Sequence, residues 1–267
     1  MAALDTGTDK LLVAIDDGIA EVTFNQPEKH NALSAAILRA LPGTLRALQD
    51  DPAVRVVVLT GAGEKAFVSG ADISEFGDTR TSPEARDAYD RAAAETSRAW
   101  RQLEKPILAM IRGYCIGGGL LTALQADIRI AAEGSQFGIP AARLGLGYGY
   151  GGVEALVALV GPAQAAEILF SARRLDAAEA LRIGLINRLV AVAELRPAVM
   201  ELAGAITANA PLTVAACKVA IAQTQRPAEQ RDHARLAAMV EACFRSEDYR
   251  EGQAAFAAKR PPRFSGR

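Results

Sequence analysis

The sequence predicts an α/β fold with largely parallel strands, followed by a helical C-terminal region. Short apolar runs rich in β-branched residues alternate with segments of helical periodicity along most of the 267 residues. Parallel strands need a crossover between them, so this alternation is typical of a parallel sheet. From Leu195 onward the pattern is almost entirely helical and rich in alanine. We therefore predict a core domain over residues 1–200 and a helical region over residues 201–267.

The N-terminal segment predicts a hairpin, a loop and a helix, in that order. Asp17-Gly18 separates two β-type runs and is a favourable two-residue turn. Residues 26–31 are polar and contain a proline, which is typical of a loop. Ser34 can cap the helix that follows, and Pro42 should kink that helix. Its apolar residues recur at helical spacing: Ile37, Leu38, Leu41, Leu45 and Leu48.

The middle of the chain predicts buried strands separated by helices and glycine turns. VRVVVLTG has the pattern of a strand that is buried on both faces, and KAFVSGADISEF contains a glycine turn between short apolar segments. A helix is expected over residues 82–103. KPILAMIRGYCIGGG predicts one buried strand leading into three glycines, then a helix over 120–125, and DIRIAAEGSQFGIP returns to strand character.

The last part of the core predicts a loop followed by short helices. GLGYGYGG has the composition of a flexible loop. Helical patterns cover residues 153–160, 163–170 and 177–183, separated by Gly161-Pro162 and by RRLD.

Composition limits the classes of function. The formal net charge is -1, so we expect no attraction to nucleic acid or to an anionic membrane. Three scattered cysteines and two histidines lack the spacing of a zinc site, and we expect no metal. The chain carries no secretory signal pattern, and no apolar run reaches the roughly 18 residues of a membrane span. We expect a soluble cytoplasmic protein.

Three consecutive glycines, Gly117-Gly118-Gly119, stand where a strand pattern ends and a helix begins. The first N–H groups of a helix have no partner within it, and a carbonyl or phosphate oxygen can approach glycine amides closely. One interpretation is an oxyanion site, and the alternative is that the glycines permit tight helix packing. The local pattern favours neither.

The segment VSGADI likewise places a glycine and a small residue after an apolar run. Asp72 can act as an acid or base, although a role in tying down the turn is favoured. Two amide donors from separate loops that meet at one oxygen would form an oxyanion hole without any side chain.

Several segments, in this order, resemble the enoyl-CoA hydratase/isomerase family, the crotonase superfamily. They are NQPEKHNALS, KAFVSGADISEF, GYCIGGGLLTALQADIRIAAEGSQFGIPAARLGLGYGYGG and EGQAAFAAKR. The resemblance implies a spiral of ββα units with C-terminal helices that assemble trimers or hexamers. It also implies an acyl-CoA thioester substrate and no cofactor besides the coenzyme A of that substrate.

The resemblance places the thioester carbonyl between the N–H groups of Ala71 and Gly118, beside Gly117. It places Lys29 near the phosphate end of CoA, with Ser69, Asp72 and Ile73 along the cleft. Phe256 and Lys259 match positions at which a neighbouring subunit contacts CoA. The alternative for Lys29 and Lys259 is that both are ordinary solvated surface lysines.

The family's two catalytic glutamates have no counterpart in this chain. One is expected at position 121, which is Leu121, and the other at position 141, which is Ala141. Gly149 stands where dienoyl-CoA isomerases place an aspartate. Leucine and alanine transfer no protons, so the paired-carboxylate mechanism is not available to these positions.

Other side chains can be considered as substitutes. Tyr148 could donate a hydrogen bond or a proton to an enolate if its pKa were lowered, and pocket-shaping is the equal alternative. For Tyr150 the pocket-shaping role is favoured. Asp72 and Glu75 are weaker candidates for a general base.

Two further interpretations compete with an active enzyme of this family. One is a catalytically silent homologue that still binds acyl-CoA. The other is dinucleotide binding, because residues 147–152 spell GxGxxG and Glu167 lies about 20 residues after it. A fingerprint of that kind requires a preceding strand, and ARLGL is a poor one.

Overall fold

The structure is a computed structural model that describes residues 2–72, 75 and 83–267. The strands are β1 (Ala2–Leu4), β2 (Leu11–Asp16), β3 (Ile19–Phe24), β4 (Val56–Gly61), β5 (Ala66–Val68), β6 (Ile107–Ile111), β7 (Tyr114–Ile116), β8 (Ile128–Ala132), β9 (Gln136–Gly138), β10 (Leu175–Asp176) and β11 (Arg188–Val190). The helices are α1 (Ala35–Asp50), α2 (Pro83–Gln102), α3 (Gly118–Ala123), α4 (Tyr150–Ser171), α5 (Ala177–Arg182), α6 (Leu195–Thr207), α7 (Pro211–Thr224), α8 (His233–Arg245) and α9 (Glu247–Ala257).

The chain alternates between two sheets. The large sheet has the order β1-β2-β3-β4-β6-β8-β11, and the small sheet has the order β10-β9-β7-β5. From β3 to β11 the large sheet is parallel, as are β5, β7 and β9. In turn β4, β6 and β8 of the large sheet are each followed by a strand of the small sheet and then by a helix. This repeat is the spiral of ββα units that the resemblance implies, and the α/β class is confirmed.

Burial explains why β4 lacks polar alternation. Val57 and Leu59 are fully buried in the main core, together with apolar residues of α1. Val56 and Val58 point to the opposite face of the sheet and pack with residues of α6. Both faces of the strand are therefore covered, as the sequence predicted.

The predicted hairpin is confirmed, because β2 pairs antiparallel with β3 around Asp17 and Gly18. Both turn residues have positive φ, 47° and 81°, as a type I′ turn requires. Helix α1 is one element that includes Pro42. Ser34 stands at its N-cap, but the Ser34 side chain makes no capping bond. The Glu75 carboxylate accepts instead from the Ala35 N–H at 2.7 Å.

Three predicted elements differ from the structure. The single strand expected before the glycines is two strands, β6 and β7, which belong to different sheets. The turn between them contains Gly113 at φ 71°, where a Cβ would lie 2.1 Å from the Lys65 carbonyl oxygen. The predicted loop at residues 145–152 already begins α4 at Tyr150. The two helices expected after it form this one element, with a break at Gly161 (φ 77°, ψ 164°).

The described residues contain one helix, α4, that could cross a membrane by its length and apolar composition. It is not the uninterrupted apolar run considered in the sequence analysis, because it contains Glu154 and Glu167 and breaks at Gly161. A second candidate arises only if the segment Val192–Thr207 and α7, which meet at 109°, are counted as one.

The predicted boundary between core and helical region falls inside α6. Helix α6 packs on β4, β6 and β8 through residues on both sides of this boundary, among them Val199 and Ala203. The division of the chain at residue 200 remains a prediction.

Candidate functional site

A short parallel contact between two distant loops presents the Ala71 amide. Leu33 and Ala71 form a β-bridge. The Leu33 N–H donates to the Gly70 carbonyl at 2.7 Å, and the Leu33 carbonyl accepts from the Asp72 N–H at 3.0 Å. In this pairing the residue between Gly70 and Asp72 directs its own N–H away from Leu33. The Ala71 N–H has no backbone acceptor in the part of the chain that the structure describes.

Asn31 fixes the turn that precedes Leu33. His30 and Asn31 both have positive φ, 52° and 56°. The Asn31 side-chain amide donates to the carbonyls of Ala62, at 2.9 Å, and Ala66, at 2.7 Å. The bond to Ala66 joins the turn to β5, the strand that leads into the Ala71 loop. Asn31 therefore links the Leu33 segment to the Ala71 segment.

The three glycines before α3 have different surroundings. Gly117 adopts φ 55° and ψ -117°, a conformation that favours glycine. A Cβ on Gly119 would lie 1.9 Å from the Val68 carbonyl oxygen, so Gly119 permits close packing of α3 on β5. A Cβ on Gly118 would lie 3.5 Å from the Ala71 nitrogen. The packing interpretation therefore applies to Gly119, whereas Gly118 lies beside the Ala71 nitrogen.

The backbone of Gly118 thus lies beside the Ala71 amide. Gly118 is the first residue of α3, and the first N–H groups of a helix have no acceptor within it. The Gly117 N–H is occupied, because it donates to the Gly138 carbonyl at 2.8 Å. Two neighbouring amides at the ends of two loops can together donate to one oxygen that carries negative charge.

Lys29 and Asp72 form an ion pair at the edge of this loop. Lys29 Nζ lies 2.7 Å from Asp72 Oδ2. The Asp72 side chain is 6% exposed and the Lys29 side chain 45% exposed. The hydrogen bond to Asp72 raises the pKa of Lys29. The nearby Ser69 N–H donates to the His30 carbonyl at 3.1 Å. This geometry favours a structural role for Asp72 over that of a general base.

Leu121 and Tyr148 both lie close to Gly152. A Cβ on Gly152 would lie 2.7 Å from Leu121 Cδ2 and 3.0 Å from Tyr148 Cε1. The Tyr148 hydroxyl is shielded from solvent and has no hydrogen-bond partner among the described residues. Burial raises the pKa of Tyr148. This shift is opposite in direction to the lowered pKa that a proton-transfer role for Tyr148 would need. The hydroxyl keeps its proton and can act as a neutral hydrogen-bond donor.

The Ala141 segment lies close to the glycines. The neighbouring Pro140 has its Cδ 3.8 Å from the position of a Cβ on Gly117. Ala141 packs against the main core, and its carbonyl accepts from the Leu146 N–H at 3.0 Å. Gly149 is the N-cap of α4 and brings no side chain. Positions 121, 141 and 149 thus contribute only apolar atoms or backbone.

The remaining predicted residues are exposed, follow the last helix or lie outside the described residues. Tyr150, the first residue of α4, is 78% exposed. Phe256 is 87% exposed near the end of α9, and Lys259 follows that helix with φ 51°. Ile73 lies outside the described residues.

Sequence reasoning missed Leu33 and Gly152. Leu33 holds the Ala71 loop through its backbone, and its Cδ1 lies 3.3 Å from the position of a Cβ on Gly118. No local signal marks Leu33, because the contact spans 38 residues of chain from 33 to 71. Gly152 permits the close approach of the Leu121 and Tyr148 side chains to its backbone, and its place in a glycine-rich loop was the only available indication.

The dinucleotide interpretation does not fit the structure. A 3-10 helix, Pro140–Leu144, precedes the GxGxxG segment instead of a strand. Glu167 lies within α4 and pairs with Arg173 at 2.6 Å. Within the described ranges no group of three or more histidine, cysteine, aspartate or glutamate residues is arranged to hold a metal.

Comparison with known proteins places this arrangement in a family. The model of the family "Enoyl-CoA hydratase/isomerase" matches residues 14–267. A crotonyl-CoA hydratase of Syntrophomonas wolfei is 35% identical over 256 residues, covering 96% of this chain and 98% of that protein. A short-chain-enoyl-CoA hydratase of Clostridium acetobutylicum is 39% identical over 245 residues, covering 91% and 92%. The crystal structure of an enoyl-CoA hydratase/carnithine racemase from Magnetospirillum magneticum has a TM-score of 0.90 at 36% identity, covering 97% of each chain. The chain belongs to the enoyl-CoA hydratase/isomerase family, the crotonase superfamily.

Proposed function

We propose that this protein is an acyl-CoA thioester enzyme that stabilises a thioester enolate with two backbone amides. The carbonyl oxygen of the thioester accepts hydrogen bonds from the N–H groups of Ala71 and Gly118. As charge moves from the α-carbon onto that oxygen, the two donors stabilise it, and each such donor is worth roughly 2.7–4 kcal/mol in comparable sites.

The proposal depends chiefly on the proximity of Gly118 to the Ala71 nitrogen. A Cβ on Gly118 would lie 3.5 Å from that nitrogen, so the two loops meet where one oxygen can contact both amides. The relatives named above act on CoA thioesters by their names, which supports the same substrate class here.

The proton-transfer step differs from that of a two-glutamate hydratase. Leu121 and Ala141 cannot exchange protons, and Tyr148 is a neutral phenol at physiological pH. Asp72 is engaged by Lys29, and Glu75 accepts from the Ala35 N–H. The site is therefore suited to polarising the thioester, while the proton is carried by a non-standard group or is not transferred at all.

The remaining contacts of the substrate follow from the family resemblance. Lys29, Ser69 and Asp72 line the path of CoA, and the resemblance adds Ile73, which lies outside the described residues. Phe256 and Lys259 reach the CoA of a neighbouring copy in a trimer or hexamer. The enzyme needs no cofactor besides the coenzyme A of its substrate, and it acts in the cytoplasm.

Gly118→Ala tests the proposed oxyanion hole. The added methyl would stand between the backbone of Gly118 and the Ala71 nitrogen, and its closest contact is 3.3 Å to the mobile end of Leu33. Alanine also favours the helix more than glycine does. We expect at least a tenfold (about 1.4 kcal/mol) loss of butyryl-CoA affinity by calorimetry, with no loss of thermal stability.

Gly43→Ala is the matched control, since a Cβ on Gly43 meets nothing within 4 Å and Gly43 lies in the interior of α1, ten residues after Leu33. It should leave affinity unchanged. Gly119→Ala should instead lower the melting temperature, because its Cβ would overlap the Val68 carbonyl oxygen. Equal binding of butyryl-CoA by Gly118→Ala and wild type would rule out the proposed placement of the carbonyl.

The apolar residues at positions 121 and 141 also favour a second candidate, a silent acyl-CoA-binding homologue. Binding and turnover measured on one sample separate the two. Binding of several CoA thioesters without hydration, isomerisation or hydrolysis of any of them would favour the silent homologue.

A further inference from the structure

The Tyr148 hydroxyl is a buried donor without an acceptor. It is shielded from solvent, and no hydrogen-bond partner is present among the residues that the structure describes. Buried polar side chains are nearly always hydrogen-bonded, and an unpaired one is costly. A cost of this kind in a folded protein calls for a functional explanation, such as a ligand atom that completes the pair.

The position of Tyr148 relates it to the proposed thioester site. Its ring and the Leu121 side chain both lie close to Gly152, within about 3 Å of the position of a Cβ there. Leu121 lies three residues after Gly118 in the same short helix, and residues at that spacing are neighbours on one helix face, about 5–6 Å apart. A short acyl chain whose carbonyl is held at Gly118 therefore extends along this face toward Leu121 and Tyr148.

The surroundings of the hydroxyl are otherwise apolar. Leu121 and Ala141 provide no polar side-chain atom, and Tyr148 and Ala141 each pack against the main core. Burial raises the pKa of Tyr148, so the phenol keeps its proton and donates. The loop before α4 has room to adjust around a ligand, because a Cβ on Gly147 or Gly149 would meet nothing within 4 Å.

We propose that Tyr148 is a specificity-determining residue, which donates a hydrogen bond to an oxygen on the acyl chain beyond the thioester. The preferred substrates are then short-chain acyl-CoA thioesters with an acceptor oxygen on the acyl group, and not plain hydrocarbon acyl groups. This inference rests on the proposed function, since it assumes that the carbonyl is held at Gly118.

The test compares two four-carbon thioesters on two proteins. Acetoacetyl-CoA carries a keto oxygen at the third carbon, and butyryl-CoA carries none. We expect wild type to bind acetoacetyl-CoA about tenfold more tightly in calorimetric titration, as one buried hydrogen bond would provide. In Tyr148→Phe this preference should fall to within about twofold of unity, while butyryl-CoA affinity stays unchanged.

Thermal melting distinguishes this role from a structural one. Removing an unpaired buried hydroxyl should leave the melting temperature of Tyr148→Phe equal or higher, whereas a large decrease would mean that the hydroxyl already has a partner and would overturn the proposal. Tyr249→Phe, in α9, is the matched control and should keep the wild-type preference.

The outcomes separate this inference from the proposed function. If wild type binds both thioesters equally, or Tyr148→Phe retains the preference, Tyr148 does not select the substrate, and the thioester site stands. If wild type binds neither thioester, the proposed function fails, and the role of Tyr148 fails with it.

Discussion

Gly117, Gly118 and Gly119 are chemically identical, but the fold uses each in a different way. Gly117 supplies a backbone conformation with φ 55°. Gly119 lets the helix contact the carbonyl of Val68, and Gly118 leaves space beside the Ala71 nitrogen. A side chain at any of the three would disturb a different feature: the turn, the packing of α3 or the site itself.

Leu121 and Ala141 allow a direct test of the missing carboxylates. Leu121→Glu combined with Ala141→Glu should raise the rate of crotonyl-CoA hydration, because positioned acids and bases contribute about 10²–10⁴-fold. The measurement is the steady-state loss of crotonyl-CoA absorbance.

The control is Leu121→Gln with Ala141→Gln, which has a similar shape and cannot transfer protons, so it should gain nothing. The account of these positions is wrong if wild type already hydrates crotonyl-CoA efficiently and the double glutamate variant adds nothing.

For single residues, the sequence could predict that the three glycines and Tyr148 are worth examining, but not the separate role of each. The glycine run predicted either an oxyanion site or close packing; close packing applies to Gly119, and the oxyanion site at Gly118 stays a prediction. The environment of Tyr148 could not be predicted either, because it depends on Leu121, 27 positions earlier in the chain, and on Gly152. Burial, and with it the direction of the pKa shift, is a property of the folded molecule.

Among the elements, α9 is held by the chain that follows it. Asp248 accepts from the N–H groups of Ser265, at 2.6 Å, and Gly266, at 2.8 Å. Glu251 pairs with Arg260 at 2.6 Å and accepts from the Arg263 N–H at 2.8 Å. The last residues therefore fold back over the helix that carries Phe256.

Glu251 should make this attachment sensitive to acid. Hydrogen bonds from Arg260, and then from the Arg263 backbone, lower the pKa of Glu251 to about 2. Its stabilising contribution is present above pH 4.5, the ordinary value, and is lost as pH falls toward 2. Glu251→Gln should melt at a lower temperature than wild type at pH 6, and the difference should narrow between pH 4.5 and 2.5.

Glu241→Gln is a suitable comparison, because Glu241 pairs with Arg245 on the exposed face of α8 and bonds no part of the C-terminal segment. A constant difference between Glu251→Gln and wild type across this pH range would contradict the assigned role.

Element boundaries were predictable where periodicity or turn residues mark them, as in the β2–β3 hairpin and α2. They were not predictable where two buried strands follow each other, as β6 and β7 do, since both are apolar and the change of sheet occurs at Gly113. Short strands such as β10, with two residues, carry too little pattern to be recognised.

On the scale of the whole molecule, the C-terminal helices leave an apolar groove of about 710 Å³. Val240, Phe244 and Phe256 line it and are exposed in the single chain. Exposed apolar surface of this kind marks interaction sites. The trimer or hexamer that the family resemblance implies would cover it.

Sedimentation velocity tests this expectation. Wild type should sediment as a trimer or hexamer at micromolar concentration, and Val240→Glu should shift it toward monomer by placing a charge in the groove. Arg226→Glu, on the exposed turn after α7, changes the charge outside the groove and should leave the mass unchanged. A monomeric wild-type protein would contradict the expectation.

The central claim is that Ala71 and Gly118 hold the thioester oxygen with their backbone amides. A crystal structure of wild type with bound butyryl-CoA measures this directly. The carbonyl oxygen should lie about 2.7–3.1 Å from both nitrogens. An oxygen that contacts neither amide, with the thioester bound elsewhere or turned away, would contradict the account.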